Sequence, residues 1–280
     1  MLHRPEWLKA IAPQGEDYEE MARLVEAAGL NTVCRSANCP NIGECWRAGT
    51  ATFMILGDTC TRNCRFCAVT HGEPWPVDDT EPERVAMVVA KLGLKHAVIT
   101  SVTRDDLPDG GASVFAATIT RIRSLAPKCS IEVLIPDFKG HEAPLKTVLA
   151  ARPDVLNHNV ETVKRLYDLV RPEAVYQRSI ELLERAKSIL PGVRTKSGIM
   201  IGLGETWDEI IQTMRDLRAV NVDILTIGQY LSPSESHAPI EKYYSPEQFS
   251  ELGNVGLDMG FGHVESGPLV RSSYKASYRS

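Results

Sequence analysis

From residue 51 onwards, short apolar runs alternate with longer amphipathic stretches. The runs are typical of strands buried on both faces, and the stretches between them have the spacing of helices. This alternation predicts βαβ units and a parallel sheet covered by helices. The predicted strands are 52–56, 97–101, 131–135, 155–159, 199–201 and 224–227. The predicted helices are 81–93, 112–126, 143–150, 161–190 (two helices, divided near Arg171), 206–220 and 246–259.

These units number about six, fewer than the eight of a complete TIM barrel, so the pattern favours an open or partial (β/α)6 barrel over residues 51–262. A doubly wound sheet remains the alternative. Residues 1–50 are predicted to be an N-terminal extension with a helix over 16–28, and 263–280 a C-terminal tail. Acidic residues in the first turn of the predicted helix suit the helix dipole.

Polar residues follow the ends of the predicted strands, as in VTRDDLPDGG after 97–101 and GLGE after 199–201. Ligands of parallel α/β folds bind at the carboxyl ends of strands. The sequence therefore predicts one ligand site at this end of the sheet.

Composition narrows the class of protein. The 280 residues are 43% hydrophobic and 24% charged, and the net charge of −5 provides no broad basic field for nucleic acid or membrane surfaces. The N-terminal residues lack the apolar core of a secretory signal, and no apolar stretch has the length of a membrane span. We expect a cytoplasmic protein or one in an organelle matrix, where clustered cysteines bind metal or do redox chemistry.

Six of the seven cysteines form two triplets, CRSANCPNIGEC and CTRNCRFC. Closed zinc sites and ordinary iron–sulfur clusters take four protein ligands, so each triplet is one ligand short. The triplets are Cys34, Cys39, Cys45 and Cys60, Cys64, Cys67. The remaining cysteine, Cys129, precedes a predicted strand and is assigned no role.

The spacing C-x3-C-x2-C of the second triplet favours a [4Fe–4S] cluster with one iron open to a chelating ligand. The alternative is zinc, for which His71 would complete a Cys3His site. This C-x3-C-x-Φ-C motif after the first strand resembles that of radical S-adenosylmethionine (SAM) enzymes. The resemblance implies a partial or full (β/α) barrel, whose cluster binds SAM through the open iron and cleaves it to a 5′-deoxyadenosyl radical.

The C-x4-C-x5-C spacing of the first triplet resembles lipoyl synthase, and the similarity extends over nearly the whole chain. The matching segments, in the same order, are SVTRDDLPDGGA, NHNVETVKRLY, KSGIMIGLGE, ILTIGQYLSPS and GPLVRSSY. The resemblance implies a second, auxiliary [4Fe–4S] cluster held by Cys34, Cys39 and Cys45 and completed by Ser273 of the RSSY motif. Taken without the resemblance, that motif is an ordinary polar tail.

The implied reaction is that of a sulfurtransferase, which inserts two sulfur atoms at C6 and C8 of a protein-bound octanoyl-lysine with the auxiliary cluster as sulfur donor. Implied cofactors are two [4Fe–4S] clusters and SAM. Implied partners are octanoylated lipoyl carrier domains (acyltransferase subunits of 2-oxo acid dehydrogenases and the glycine cleavage H protein), ferredoxin or flavodoxin as reductant, and an iron–sulfur cluster carrier. We expect a monomer with no nucleic acid and no membrane partner.

Several strand-end residues are candidates for SAM or substrate contacts, each with a plainer alternative. For Arg104 and Asp105 the alternative is a surface ion pair. Glu132 either lines the barrel or lies at a water-facing edge. For Asn159 and Glu161 the alternative is helix capping.

Further candidates are Gly202 and Glu205 in a glycine-rich loop, which is a weak nucleotide signal, and Gln229 with Tyr230, which would close over the radical. Arg194 and Lys196 are candidates to meet a carboxylate or an acidic carrier. Two other functions stay open at this point: a biotin synthase-like radical SAM enzyme, and a non-enzymatic iron–sulfur carrier or zinc scaffold. The first triplet and the RSSY tail argue against the former, and the number of βαβ units against the latter.

Overall fold

The computed structural model describes residues 3–9, 14–36 and 39–274, and these fall into two units. The first unit comprises 14–36, 39–62, 68–156 and 273–274. The second comprises 3–9, 63–67 and 157–272. The chain therefore passes from one unit to the other within the second cysteine triplet, after Arg62.

The first unit begins with helix α1 (Glu16–Ala27), which confirms the predicted N-terminal helix. It buries Met21 and Val25 and is followed by Gly29 in the left-handed conformation (φ +59°), as a helix stop requires. Strand β1 (Asn31–Thr32), helices α2 (Val33–Ser36) and α3 (Ile42–Arg47), and strand β2 (Thr50–Ile55) come next.

The rest of the first unit alternates strands and helices. Its elements are β3 (Thr59–Cys60), β4 (Thr70–His71), α4 (Glu81–Lys91), β5 (His96–Ser101), α5 (Ala112–Leu125), β6 (Ser130–Leu134), a 3₁₀ turn (Phe138–Gly140) and α6 (Glu142–Ala150). Strands β2, β5 and β6 pair in parallel in that order, and β1 is antiparallel to β2. Strands β3 and β4 form a separate parallel pair.

The two faces of this sheet differ in polarity. In register, Thr50 lies beside His96 and His96 beside Ser130, and Thr52, Val98 and Glu132 form the next row on the same face. The opposite face carries Ala51, Phe53, Ile55, Ala97, Ile99, Ile131 and Val133, all buried. An apolar face of this kind is the one that covering helices bury.

Strand β7 (Val155–Asn157) lies where the chain enters the second unit. The elements that follow are a 3₁₀ turn (Lys164–Leu166), α7 (Tyr167–Val170), α8 (Tyr176–Ile189), β8 (Arg194–Ile201), α9 (Trp207–Ala219), β9 (Ile224–Gln229), α10 (Pro246–Asp258) and β10 (His263–Gly267). Strands β8, β9 and β10 are parallel in that order. Capping boxes start α9 at Thr206 and α10 at Ser245.

The predicted parallel α/β arrangement is confirmed, including the break between α7 and α8 at Arg171. Strand β8 starts at Arg194, five residues before the predicted start at 199. The prediction missed these residues because Thr195, Lys196 and Ser197 are polar and yet buried. Strand β10 was not predicted, since its sequence HVESG has no apolar run and is only half-buried. No helix in the described ranges is apolar over the length that crossing a bilayer requires.

Candidate metal centres

The first cysteine triplet lies on two short helices of the first unit. Cys34 belongs to α2 and is buried, Cys45 belongs to α3, and Cys39 lies between them. Two of the three cysteines therefore lie on helical turns, although the segment is rich in Asn, Pro and Gly. Ile42 and Trp46 are both buried and four residues apart, and this apolar pair favours a helical turn that the Asn, Pro and Gly content conceals.

Backbone hydrogen bonds and an aromatic cluster hold these cysteines. The Cys39 N–H donates to the Cys34 carbonyl (3.0 Å) and the Cys45 N–H to the Asn41 carbonyl (2.9 Å). The Trp46 ring stacks on Tyr18 with centroids 5.1 Å apart. The backbone of the triplet is thus hydrogen-bonded and packs beside a stacked aromatic pair.

The Cys34 thiol lies in a site that favours a neutral group or a metal. Burial is the main reason its pKa is raised, and Cys39 adds to the effect, while hydrogen bonds from Thr52 and Trp46 oppose it. Indole Nε1 of Trp46 is buried and is the side-chain N–H that faces the Cys34 sulfur. A metal cluster would replace the thiol proton, and its sulfur atoms would accept from such an N–H. The donor set therefore fits an iron–sulfur cluster.

The C-terminal tail reaches this triplet. The Tyr274 hydroxyl contacts both carboxylate oxygens of Glu44 at 3.2 and 3.1 Å. Glu44 adjoins Cys45 on α3, and Ser273 adjoins Tyr274. The contact spans 230 residues of sequence, and it brings the RSSY motif to the helix that carries a cysteine of the first triplet.

In the second triplet, Cys60 is held by the first unit. Its Sγ lies 3.4 Å from the Arg62 N–H and 3.3 Å from the Thr103 N–H, so two backbone donors point at the sulfur. Strand β3 pairs Cys60 with His71 of β4 in register. Hydrogen bonds from backbone N–H groups to cysteine sulfur are also a feature of iron–sulfur sites.

Arg62, inside the cysteine motif, is the centre of a buried ion network in the first unit. Its Nε and Nη2 bind the two oxygens of Asp105 at 2.7 and 3.0 Å. Nη2 also donates to Asp137 at 2.6 Å. These carboxylates raise the pKa of Arg62 against the effect of its burial. The network fixes the chain just after Cys60.

Cys64 and Cys67 are held by the second unit. The Cys67 N–H donates to the Cys64 carbonyl (3.0 Å), and His237 Nε2 lies 3.0 Å from the Cys67 carbonyl. Between them, Arg65 donates its N–H to Val170 (2.9 Å) and accepts from the Ala238 N–H (2.7 Å). Backbone contacts therefore set the course of this cysteine segment.

Within residues 3–9, 14–36 and 39–274, no three His, Cys, Asp or Glu side chains converge on one ion position.

The candidates of the first unit lie differently from what the sequence indicated. Arg104 and Asp105 do not form a surface pair: Arg104 is 3% exposed and binds Asp106, and Asp105 binds Arg62. Glu132 is 2% exposed, with one oxygen 3.6 Å from His96 Nε2, so the water-facing alternative is wrong. It lies on the polar face of the sheet, as a lining residue would.

Asn159 and Glu161 lie together at the end of the strand segment that starts the second unit. Asn159 Nδ2 donates to Glu161 Oε1 (3.0 Å), and Glu161 adopts a left-handed φ of +64° while bridging Ile199 of β8. A positive φ is costly for a residue with a side chain and is characteristic of functional sites. Desolvation raises the pKa of the Glu161 carboxyl, opposed by Arg171 and Asn159. Neither residue caps a helix.

The glycine-rich loop is organised by its own acidic residue. The Glu205 carboxylate accepts from the N–H of Gly202 (2.6 Å) and of Leu203 (2.9 Å). Gly202 has φ +108°, and an added Cβ there would lie 2.2 Å from Gln229 Nε2. The Gln229 amide in turn donates to the Lys242 carbonyl and accepts from the Tyr244 N–H. These contacts give Glu205 and Gln229 the role of shaping the loop.

The other candidates are mostly enclosed. Lys196 is 1% exposed, which excludes it from a docking surface for an acidic carrier. Tyr230 is equally buried and donates its hydroxyl to the Ala238 carbonyl (2.8 Å). Arg194 is half-buried at the start of β8. Burial raises the pKa of Cys129 to about 11, as expected for an inert thiol.

Sequence reasoning missed Arg62, Asp137 and Arg171. The first two meet across 75 residues, and nothing local marks them. Arg171 was used only as a helix break, yet it is 8% exposed and binds backbone carbonyls. The available signal was its position between two predicted helices, because an arginine that is buried at such a break can donate to main-chain carbonyls.

Comparison with known proteins shows which family this chain belongs to. Residues 54–217 match the radical SAM superfamily model. A lipoyl synthase of Rubrobacter xylanophilus is 62% identical over 98% of this chain and 85% of its own length. One from Roseiflexus sp. is 58% identical over 98% and 91%, and one from Caldanaerobacter subterraneus 56% over 98% and 96%.

Solved structures show the same fold at low sequence identity. HydG, a maturase of the [FeFe]-hydrogenase, has a TM-score of 0.61 at 14% identity over 88% of this chain and 62% of its own. Methylornithine synthase has a TM-score of 0.56 at 15% identity over 95% and 85%. The predicted partial (β/α) barrel of the radical SAM kind is confirmed. The chain belongs to the lipoyl synthase family of the radical SAM superfamily.

Proposed function

We propose that this chain converts a protein-bound octanoyl-lysine to the lipoyl group by inserting sulfur at C6 and C8, using two iron–sulfur clusters. Cys60, Cys64 and Cys67 would hold the cluster that binds SAM. Cys34, Cys39, Cys45 and Ser273 would hold the auxiliary cluster. The observation that carries the two-cluster reading is the Tyr274–Glu44 contact, since it brings the serine motif to the helix of Cys45.

When bound, SAM and its cluster would supply the radical that removes hydrogen from the octanoyl chain, and the auxiliary cluster would supply sulfur. The side chains around them have supporting tasks. Two backbone N–H groups stabilise the Cys60 sulfur, and Arg62 anchors the segment that follows it. Asn159 and Glu161, with Arg104, Asp105 and Glu132 from the first unit, are the proposed polar contacts for SAM.

In the glycine-rich loop, Gly202 would offer its backbone to SAM, while Glu205 and Gln229 keep the loop in shape. Ser273 would be a deliberately weak ligand. An alkoxide or hydroxyl oxygen is harder than a thiolate and suits a sulfur-rich cluster less well. Release of this one ligand would open the auxiliary site while the three cysteines keep their positions.

The substrate and partner assignments belong to the same proposal. The substrates would be octanoylated carrier domains of 2-oxo acid dehydrogenase acyltransferases and of the glycine cleavage H protein. Ferredoxin or flavodoxin would supply electrons, and a cluster carrier would rebuild the auxiliary centre. We propose a cytoplasmic monomer in which 1–50 carry the auxiliary motif, 51–262 form most of the barrel, and 263–280, which begin with strand β10, supply the serine.

The test uses anaerobically reconstituted protein, an octanoyl-lysine peptide, SAM and a reductant, with mass spectrometry for one and two added sulfur atoms. The wild type should hold about eight iron atoms per chain. Cys34→Ala should keep about four, still cleave SAM and form no lipoyl product. Cys60→Ala should lose SAM cleavage, and Cys129→Ala, the matched control outside both triplets, should behave as wild type.

The outcomes separate the alternatives. About four iron atoms in the wild type, or bound zinc, would contradict the two-cluster proposal. Product from Cys34→Ala would remove the sulfur-donor role from the first triplet. SAM cleavage without added sulfur in the wild type would contradict the proposed substrate.

A further inference from the structure

The turn at residues 170–173 contacts both the cysteine segment and the strand end that carries Asn159 and Glu161. All of these residues belong to the second unit. On one side, the Val170 carbonyl accepts from the Arg65 N–H at 2.9 Å, and Glu173 Oε2 accepts from the Asn63 N–H at 2.9 Å. The turn therefore binds the backbone immediately before and after Cys64.

On its other side, the same turn binds the strand end. Arg171 Nη1 donates to the carbonyls of Asn159 (3.0 Å) and Val160 (3.1 Å). The Tyr167 hydroxyl donates to the same Val160 carbonyl at 2.8 Å and also lies 3.1 Å from Arg171 Nη1. Two consecutive carbonyls just before Glu161 are thus fixed by one buried guanidinium.

The conformation of Glu161 depends on these contacts. Its φ of +64° is strained, so neighbouring bonds must hold it. Gly198 and Met200 of β8 hold it from the strand side through the Glu161 N–H and carbonyl (2.9 and 2.8 Å). Arg171 holds the two residues before it. The orientation of the Glu161 carboxylate and of Asn159 is therefore set partly by the turn.

We propose that the turn 170–173 is a positioning element that sets the spacing between Cys64 and the pair Asn159 and Glu161, with Arg171 and Glu173 as its positioning residues. This rests on the proposed function, in which the two sides bind the cluster and SAM. Bound SAM must reach both sides at once, so its affinity depends on their separation. Glu173 and Arg171 hold the backbone of these two sides, and the Arg171 charge also acts on the Glu161 carboxyl.

Glu173 provides the sharper test because it is exposed and its loss leaves the core intact. Glu173→Ala removes the acceptor for the Asn63 N–H, and Glu173→Gln, the matched control, keeps one carbonyl oxygen. Arg171→Lys keeps the positive charge but replaces the branched guanidinium group with a single ammonium nitrogen. Reconstituted proteins of equal iron content are compared by their Kd for SAM and by the change that SAM causes in the electron paramagnetic resonance spectrum of the reduced cluster.

We expect Glu173→Ala to raise the Kd for SAM about fivefold and Arg171→Lys about tenfold or more, with Glu173→Gln within about twofold of wild type. The SAM-induced spectral change should be reduced in the first two variants. Unchanged affinity in Glu173→Ala, or equal losses in Glu173→Ala and Glu173→Gln, would overturn the proposal even if Arg171→Lys fails to fold. Failure of the proposed function would look different, since the wild type itself would then bind no SAM or would cleave SAM without adding sulfur to the octanoyl-lysine peptide.

Discussion

Replacing Arg62 with methionine should destabilise the protein strongly, because Arg62 is the shared partner of two carboxylates. The side chains of Arg62 and Asp137 are 5% and 0% exposed, and that of Asp105 is 21% exposed. Arg62→Met keeps much of the side-chain volume but removes the guanidinium that balances the buried Asp137 carboxylate. Breaking a buried ion pair from one side costs about 3–5 kcal/mol.

That cost should lower the apparent Tm by about 6–12 °C, measured anaerobically at one scan rate on samples of equal iron content. Arg121→Gln is the matched control. Its ion pair with Glu83 has a similar distance (3.1 Å), but the two side chains are 60% and 47% exposed. Water compensates such a pair, so the control should cost about 1 kcal/mol or less.

A double variant separates charge burial from lost packing. Asp137→Asn in the Arg62→Met background removes the buried carboxylate charge, and we expect it to restore about half of the lost stability. A shift for Arg62→Met as small as that for Arg121→Gln would show that the carboxylates are hydrated, and the buried network would then be wrong.

Three further predictions concern other parts of the chain. Gly202→Ala should cost about 2 kcal/mol or more, because the added methyl would lie 2.5 Å from the backbone oxygen of Lys242 and 2.2 Å from Gln229 Nε2. Gly192→Ala, with a similar φ (+94°) but no atom within 4 Å, should cost about 1 kcal/mol. Thermal melts compare the two variants, and equal costs would refute the clash. Burial raises the pKa of Cys129 from 9.0 to about 11, so the stabilising effect of the bound proton is complete below pH 9 and is lost as the pH rises towards 11. The Tm of the wild type should therefore fall relative to that of Cys129→Ala over this range. A Tm difference that stays constant with pH would contradict this prediction. Tyr274→Phe should speed amide hydrogen exchange in 268–274 by up to about fivefold, and Glu44→Gln, which keeps one acceptor oxygen, should do so less; no change in either would argue against the tail contact.

The strands and helices could be predicted from the sequence wherever the buried residues are also hydrophobic. Strands such as β5 and β9 are continuous apolar runs, and their helices show amphipathic spacing. The start of β8 escaped because Lys196 and Ser197 are buried polar residues. Strand β10 escaped for the opposite reason, since it is half-exposed and polar.

The sequence identified which residue types form the candidate site, but not which other residues they contact. Cysteine spacing marked both triplets, because ligands of one centre recur at short intervals. Partners such as Arg62 and Asp137 meet only after folding and leave no local periodicity. Glu205 was identified as a candidate for a ligand contact, but nothing in the sequence marked the two N–H groups of its own loop that donate to its carboxylate.

The two hydrogen bonds to the Cys60 sulfur come from backbone N–H groups of Arg62 and Thr103 rather than from side chains. Every amino acid except proline carries such a donor. Evolution can therefore vary the side chains at positions 62 and 103 without removing the donors that contact this sulfur. The electronic environment of the sulfur is consequently encoded in the course of the chain, and among single substitutions at these two positions only proline removes a donor outright.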